Sequence, residues 1–386
     1  MKVQRVRLPD AGQVTWMLLD DAYRPDEPVN RFLRFLVSLD RSPNTVRAYA
    51  FHLKLWRQYL CERDLTWTDV TVDDLAHFTQ WLRTPPVDGL LSLDRTPVRT
   101  KRTVYAVLSA VYEFYTYHSN AGVTPEIPLY RFVSMPRRRY KDFLYHKTKA
   151  APVKTRVVAV AKPEPEKYQP KTLTPQEVGL LVAACRHVRD RFLVGLLFES
   201  GMRIGQALGL RHEDIRSWDN EIDIVPRDDN ANGARAKTRE RYTVVVPRPV
   251  MDLYTRYVMD EVAPLAAQTG VLPDYVFVNL WEGQIGRPLT YPTARAMLRR
   301  LSQRVLKKHG VNLTLRAHML RHTYATETIR AGVPLAVVQK QLGHTSIATT
   351  IQTYTHLTTK DVKVALLAAG IGTGSGDAAV ARGGEA

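Results

Sequence analysis

Apolar residues recur at helical spacing in two long blocks of the chain, and a polar, basic stretch separates these blocks. In the first block, four stretches between Val29 and Tyr117 place apolar side chains three or four positions apart, the spacing that lines one face of an α-helix. Ser42-Pro43 supplies an N-cap and a proline at the first helical position, and Pro85-Pro86 ends the third stretch. The pattern predicts a helical domain over residues 26–135.

The second block begins at Thr174-Pro175, where a cap again precedes a proline. Its spacing is helical except around Ile222–Val225 and Tyr242–Val246, which are typical of short strands on either side of a polar loop. The pattern predicts a mostly helical domain with a small β-sheet over residues 172–370. The glycine- and alanine-rich tail that follows, residues 371–386, has the composition of a disordered segment.

Charge narrows the class of partner. The 386 residues include 55 Lys or Arg and 38 Asp or Glu, a formal net charge of +17. This indicates a polyanionic partner, nucleic acid first and an anionic membrane surface second. Residues 136–171 alone hold eleven Lys or Arg, three acidic residues and five prolines. This segment is predicted to be a linker, either a solvated tether or a strap along the DNA backbone, where basic side chains near phosphates release counterions.

Residues Val3 to Asp20 alternate weakly around the turn-like Asp10-Ala-Gly12, which predicts a β-hairpin in an N-terminal extension, residues 1–25. Two roles are open for it: packing on the helical domain, or an additional DNA-contacting arm. The sequence does not separate them.

The two cysteines, Cys61 and Cys185, lie far apart in predicted helices, so they indicate neither a disulfide framework nor a zinc site. Both are expected to be buried, reduced thiols. No apolar run approaches the roughly 20 residues of a membrane span, and Met1 to Arg7 lack the apolar core of a signal peptide. We therefore expect a cytoplasmic protein without a membrane partner, whose nearest polyanion would be a bacterial chromosome.

A glycine break precedes the first candidate for chemistry, Arg203, in Glu199-Ser-Gly-Met-Arg-Ile-Gly-Gln206. The helix dipole disfavours a cation in the first turn of the next helix, where Arg203 falls. An arginine there, beside free backbone N–H groups, forms an anion site. The plainer alternative is a surface arginine that follows a turn.

The segment Ala317–His322 carries the second group of candidates. If it is helical, His318 and Arg321 share a face, which directs an acid/base imidazole and a permanently charged phosphate ligand to one site. His318 and His322 also stand one turn apart, as a metal pair would. No third ligand is obvious, however, so we expect no metal, and a packed or supporting role for His322.

Three more residues have weaker individual signals. Lys237 lies in the loop between the predicted strands, where a lysine is either solvated or placed to donate a proton. His344 follows Gly343 at the end of a predicted helix, and Tyr354 follows on a short tether. A phenol with a pKa of about 10 is a poor nucleophile unless cations or a histidine stabilise the phenolate.

Taken in order, Arg203, Lys237, His318-x-x-Arg321, His344 and Tyr354 resemble the tyrosine recombinase, or phage integrase, family. Residues 200–206 resemble the arginine box of that family, and residues 317–326 and 341–350 resemble its second box. The helical domain resembles the family's SAM-like core-binding domain at several positions, namely Ser42-Pro-Asn-Thr45, Tyr49, Leu53, Arg102 and Phe114-Tyr115.

The resemblance implies a mainly α fold with a small β-sheet, in which a helical core-binding domain and an α+β catalytic domain form a two-domain DNA clamp. It implies that Tyr354 attacks a phosphodiester, which gives a 3′-phosphotyrosine link and a free 5′-hydroxyl, without metal, ATP or another cofactor. It implies that Arg203 and Arg321 bind the phosphate and that His318 is the general base. It further implies that Lys237 is the general acid and that His344 donates a hydrogen bond to a phosphate oxygen.

Two positions depart from the family pattern. Gln206 stands where many members carry a glutamate, and the interval from His344 to Tyr354 is one residue longer than the commonest one. Two other functions are therefore kept beside the recombinase: a type IB topoisomerase, and a non-catalytic DNA-binding accessory protein.

The family also implies partners. These are double-stranded DNA and further copies of the chain, as a tetramer on paired DNA sites, together with possible accessory proteins. The helix predicted over Asp361–Ala369 would dock on a neighbouring copy or pack in its own chain. The expected biological role is integration, excision or transposition of a mobile element. Candidate DNA contacts are Arg47, Arg99, Lys101, Arg102, Arg137, Arg138, Arg139 and Lys141.

Overall fold

Two units follow one another along the chain, residues 1–167 and 168–386, and each has its own hydrophobic core. The structure, a computed structural model, describes residues 1–7, 14–84, 98–123, 130–133, 153–156, 171–236, 238, 240–281 and 283–343. Helices dominate both units and the β-sheets are small, which confirms the predicted fold class. None of the helices in these ranges combines the length and the apolar character that crossing a membrane requires.

The described residues of the N-terminal unit form a hairpin, four helices and a two-stranded sheet. Its elements are β1 (Lys2–Arg7), β2 (Val14–Leu19), α1 (Glu27–Ser38), α2 (Pro43–Glu62), α3 (Val72–Arg83), α4 (Lys101–Asn120), β3 (Tyr130–Val133) and β4 (Val153–Arg156). The pairs β1–β2 and β3–β4 are antiparallel. Strand β4 falls inside the segment predicted to be a linker, where the high content of proline and lysine masked its short β-branched pattern.

Side-chain caps set the starts of the N-terminal helices. Ser42 accepts a hydrogen bond from the Thr45 N–H at the start of α2, and Thr71 and Asp74 form a reciprocal capping box at the start of α3. At the start of α1, Asp26 caps Val29 and also accepts a hydrogen bond from Arg57 Nε at 2.6 Å. The α1 cap therefore also ties α1 to α2.

The hairpin packs on the helical domain. Leu18 is fully buried, and its backbone N–H and C=O pair with the side-chain amide of Asn30 at 2.8 and 2.9 Å. Asn30 is itself buried in α1. This reciprocal pairing satisfies the polar groups at the end of β2 inside the core. It joins the hairpin to α1.

Cys61 corrects one expectation from the sequence. Both cysteines are unpaired, but Cys61 is exposed, whereas Cys185 is buried and burial raises the pKa of its thiol to about 12. Cys61 directly follows the buried Leu60 in α2, so it faces away from the core. The apolar periodicity of α2 does not include position 61.

The C-terminal unit surrounds a central helix with further helices and a three-stranded sheet. Its elements are α5 (Pro175–Ala184), α6 (Val188–Ser200), α7 (Ile204–Ala207), β5 (Ile215–Arg216), β6 (Glu221–Ile224), β7 (Tyr242–Val245), α8 (Arg248–Tyr257), α9 (Ala263–Thr269), α10 (Tyr291–His309), α11 (Ala317–Arg330) and α12 (Leu335–Leu342). A 3₁₀ turn, His212–Asp214, precedes β5, and a π turn, Val258–Val262, joins α8 to α9. The strands are antiparallel in the order β5-β6-β7, and β5 was not predicted.

Helix α6 is the centre of this unit. Phe192, Leu193, Leu196 and Leu197 are fully buried, so the helix is apolar on more than one face. Glu261 caps its first turn, since its carboxylate accepts hydrogen bonds from the backbone N–H groups of residues 188 and 189 at 2.9 Å. Because α6 is buried and capped, the residues that follow it start from a fixed position.

Asp223 is the polar centre of the sheet. It is buried in β6 and accepts hydrogen bonds from Arg216, Arg241 and Thr243. Burial on its own would raise the pKa of Asp223, but these hydrogen bonds outweigh it and lower the pKa to about 2. The ionised carboxylate thus links all three strands and their flanks.

The Asn30 pairing predicts a stability loss. Asn30→Ala leaves the buried backbone N–H of Leu18 unpaired, while the Leu18 carbonyl oxygen keeps the Asp26 N–H at 3.0 Å, and is expected to lower the free energy of unfolding by about 2 kcal/mol. Tryptophan fluorescence during urea unfolding measures it, since four of the six tryptophans lie before residue 82. The control is Ser38→Ala at the exposed end of the same helix, with an expected change below about 0.5 kcal/mol. Equal effects of the two variants would contradict the pairing.

The Asp223 cluster predicts a pH-dependent loss. Asp223→Asn is expected to lower the free energy of unfolding by about 2 kcal/mol at pH 7. The folded-state pKa of Asp223, about 2, lies below its ordinary value of 3.8, so this stabilisation is complete above about pH 4 and disappears as the pH falls toward 2. Urea unfolding followed by circular dichroism over that range measures the gap between wild type and variant. Asp219→Asn, at an exposed carboxylate of the same hairpin, is the control. A gap that persisted at pH 2 would rule out the ionised carboxylate as its cause.

Candidate active site

Three of the six candidate catalytic residues, Arg203, His318 and Arg321, fall in the described ranges. Lys237, His344 and Tyr354 lie outside them. The same is true of the predicted helix over residues 361–369, the tail over 371–386, and four candidate DNA contacts, Arg137, Arg138, Arg139 and Lys141.

A tight turn at Gly201 places Arg203. Gly201 ends α6 with a left-handed φ of 64°, and a Cβ added to it would lie 2.4 Å from the ring of Tyr324 and 2.7 Å from Leu342. Only glycine suits both this conformation and this space. Arg203 then stands at the N-cap of α7, one position before the first helical turn in which the sequence placed it. Its backbone N–H donates to Gln206 Oε1 at 2.7 Å, which explains the later helix start.

Arg321 is buried in α11, with 2% of its surface exposed. Its Nη1 donates to the carbonyl oxygen of Gly201 at 2.7 Å, and its Nη2 donates to that of Leu342 at 2.9 Å. The guanidinium therefore connects the end of α6 with the end of α12. Carbonyl oxygens carry only partial negative charge, so these two bonds orient the cation without cancelling its charge.

His318 lies one turn before Arg321 on α11 and is exposed. Its ring meets the buried ring of His322 edge to face, with centroids 4.3 Å apart. Burial, together with the electrostatic influence of the neighbouring His318 and Arg321, lowers the pKa of His322 to about 4. His322 is therefore neutral near pH 7 and packs beneath the exposed imidazole. Within the described ranges no group of three His, Cys, Asp or Glu side chains is arranged to hold a metal ion.

Sequence reasoning did not single out Tyr242, the first residue of β7. Gln206, which is 3% exposed, donates from Nε2 to the Tyr242 hydroxyl at 2.9 Å. The Tyr242 ring lies against Gly343, where an added Cβ would come within 2.4 Å of the phenolic oxygen. Burial raises the pKa of Tyr242, while the Gln206 hydrogen bond and the nearby charges of Arg321 and Arg203 act to lower it. Tyr242 thus lies between the two box segments, although one tyrosine among 18 carries no sequence signal.

The end of α12 is also tied to the sheet. The Gln341 side chain accepts from the backbone N–H of Val245 at 3.3 Å and donates to its carbonyl oxygen at 2.6 Å. Gly343 then ends α12 with a φ of 59°. Gly343, the last described residue, is therefore held next to Tyr242.

Four of the eight candidate DNA contacts lie in the described part of the N-terminal unit. Arg47 is exposed and lies over the rings of Trp16 and Phe51, at 5.3 and 5.4 Å. Arg99 donates to the Leu82 carbonyl oxygen, so it also braces the end of α3. The other two, Lys101 and Arg102, are exposed in the first turn of α4.

Comparison with known proteins bears on the whole chain. The model of the phage integrase family matches residues 171–361, and that of the phage integrase N-terminal SAM-like domain matches residues 29–122. Transposase A from transposon Tn554 of Staphylococcus aureus is 38% identical over 364 residues, which cover 94% of this chain and 96% of that protein. The tyrosine recombinase XerC of Roseiflexus castenholzii is 27% identical over 345 residues, which cover 86% of this chain and 89% of that protein.

Among solved structures, the Tn1549 transposon integrase in complex with transposon right end DNA superimposes with a TM-score of 0.60. The match covers 89% of this chain and 99% of that one at 15% identity, so it speaks for the fold alone. The fold, the box segments and the sequence identity all indicate the same family. The chain belongs to the phage integrase family, the tyrosine recombinases, which act by cleaving and rejoining DNA.

Proposed function

We propose that this chain is the recombinase of a mobile element and that Tyr354 is its nucleophile. The observation that carries the assignment of the phosphate site is the hydrogen bond from Arg321 to the Gly201 carbonyl oxygen, which ties Arg321 to the turn that carries Arg203. The exposed His318 lies one turn away from Arg321. Two arginines and a histidine grouped in this way suit a phosphodiester in reaction.

In the proposed cleavage step, the Tyr354 oxygen forms a bond to phosphorus while the bond from phosphorus to the 5′-oxygen breaks. His318 accepts the phenolic proton, and Lys237 donates a proton to the leaving 5′-oxygen. Arg203 and Arg321 bind the non-bridging oxygens, where negative charge increases in the transition state. The 5′-hydroxyl of another strand reverses these steps, so bond energy is kept in the ester and no nucleotide cofactor is consumed.

His344 completes the proposed set as a hydrogen-bond donor to a phosphate oxygen. Its sequence position supports this role, because the chain reaches residue 344 directly from Gly343, which touches Tyr242.

The biological role rests on the relatives. Identity of 38% to a Tn554 transposase over nearly the whole chain supports transposition, including integration and excision. The Tn1549 integrase and a λ integrase dimer have been solved on DNA, which supports double-stranded DNA as the partner here. We propose a tetramer on paired DNA sites, in the cytoplasm, with Arg47, Lys101 and Arg102 among its phosphate contacts.

The nucleophile assignment predicts a separation of binding from chemistry. Tyr354→Phe is expected to bind DNA like wild type and to form no covalent adduct, because the attacking oxygen is missing. Nicked suicide duplexes that tile the DNA flanking the gene are incubated with protein in the presence of EDTA, and adducts are read on denaturing gels and located by peptide mapping. Tyr291→Phe, at an exposed tyrosine of the same unit, is the control with unchanged adduct formation.

Other outcomes would replace the proposal. An adduct at another tyrosine would move the nucleophile. Relaxation of a supercoiled plasmid without joining of two sites would indicate a type IB topoisomerase. DNA binding without any adduct would indicate a non-catalytic accessory protein.

The two hydrogen bonds of the Arg321 guanidinium predict that even a lysine at this position slows adduct formation. Arg321→Lys is expected to slow adduct formation at least about 100-fold, because an ammonium cannot reach two carbonyl oxygens and a phosphate with one planar fork. Single-turnover rates on the suicide duplex measure the loss. The control is Arg330→Lys at the exposed end of the same helix, which should leave the rate unchanged. Near-equal rates for the two variants would remove Arg321 from the phosphate site.

A further inference from the structure

The Tyr242 hydroxyl occupies the junction of the two box segments. It receives a hydrogen bond from Gln206, which also accepts the backbone N–H of Arg203, and it touches Gly343. Gly343 follows Leu342, whose carbonyl oxygen binds Arg321. The hydroxyl therefore contacts the Arg203 turn on one side and the Arg321 anchor on the other.

The direction of the Gln206 hydrogen bond determines what the phenol can do. Gln206 Oε1 accepts from Arg203 N–H at 2.7 Å, so the amide nitrogen must face Tyr242, since the opposite orientation would set two donors against each other. Tyr242 oxygen is then the acceptor in this pair. Its own hydrogen is directed elsewhere.

Both candidate phosphate ligands act electrostatically on this phenol, and its ring is only partly buried. A glutamate at position 206 would reverse the arrangement, because a carboxylate would accept the phenolic hydrogen. With glutamine the hydrogen stays available. A neutral donor here adds a hydrogen bond to an anion without placing a third positive charge beside two guanidinium groups.

We propose that Tyr242 donates its hydroxyl hydrogen to a non-bridging oxygen of the scissile phosphate, as a third ligand beside Arg203 and Arg321. This inference rests on the proposed phosphotyrosine chemistry. It assigns Gln206 as the positioning residue that orients the phenol. The glutamine at position 206 and the tyrosine at position 242 then act together, since the glutamine leaves the phenolic hydrogen available for the phosphate.

The test uses the full chain on the nicked duplex with which wild type forms its adduct. That duplex is prepared with an ordinary scissile phosphate and with each of the two phosphorothioate diastereomers, in which sulfur, a weak hydrogen-bond acceptor, replaces one non-bridging oxygen. Tyr242→Phe keeps the ring against Gly343 and removes only the hydroxyl. On ordinary phosphate it is expected to slow single-turnover adduct formation roughly 10- to 100-fold.

The diastereomers separate a phosphate ligand from a structural role. The ratio of wild-type to Tyr242→Phe rates should fall toward one on the diastereomer whose sulfur replaces the oxygen that Tyr242 contacts, and persist on the other. Because this comparison is made within one variant, any general folding defect cancels. Tyr254→Phe, which removes the half-buried hydroxyl bonded to His212 at 2.8 Å, should match wild type on all three substrates.

Either of two results would overturn the inference: an unchanged rate for Tyr242→Phe on ordinary phosphate, or the same rate ratio on all three substrates. Wild type that binds the duplexes but forms no adduct would instead defeat the proposed function itself. The two failures are thus distinguishable.

Discussion

The catalytic unit depends on one buried cation. Arg321 lies inside α11, and its two hydrogen bonds reach carbonyl groups 120 positions before it and 21 positions after it. A guanidinium removed from water must have its N–H groups satisfied, and this requirement places the ends of α6 and α12 at fixed distances from each other. Those two ends lead into Arg203 and His344. The residue proposed to bind the phosphate thus also anchors the turn that carries Arg203.

The remaining contacts complete a ring around that cation. Gly201 allows the Tyr324 ring and Leu342 to approach the backbone, and Gly343 allows the approach of Tyr242. Gln206 links Tyr242 back to the Arg203 turn. These contacts are made by backbone groups, by close ring contacts and by hydrogen bonds of 2.7 and 2.9 Å, so the ring resists small adjustments. Such rigidity suits a site that must hold positive charge in place before the phosphate arrives.

The N-terminal unit has an aromatic core of its own, on which the hairpin packs. Its core is rich in aromatic residues, with Trp56 in contact with Tyr59, Phe78 and Tyr115. The hairpin joins it through Asn30, and Trp16 of that hairpin lies beneath the exposed Arg47. A basic side chain is thereby held over an aromatic surface, which limits its freedom before any anion binds. The extension at the N-terminus therefore supports the helical domain and one of its candidate DNA contacts.

The sequence by itself determined the features that depend on near neighbours. Apolar spacing and the caps at Ser42 and Thr174 predicted the helices, because helix formation and capping involve residues three or four positions apart. The order of the six candidate residues was enough to indicate the family, and the roles that the resemblance implies for Arg203, His318 and Arg321 stay predictions.

Only the tertiary structure decided the contacts between distant positions. The Gln206–Tyr242 pair spans 36 residues and the contact of Gln341 with Val245 spans 96, so no local pattern marks either of them. The same holds for the hairpin on α1 and for the exposed face of α2 that carries Cys61. A hydrogen bond or a close ring contact is fixed by where the fold brings two groups together, and that position is a property of the whole unit and not of the segment.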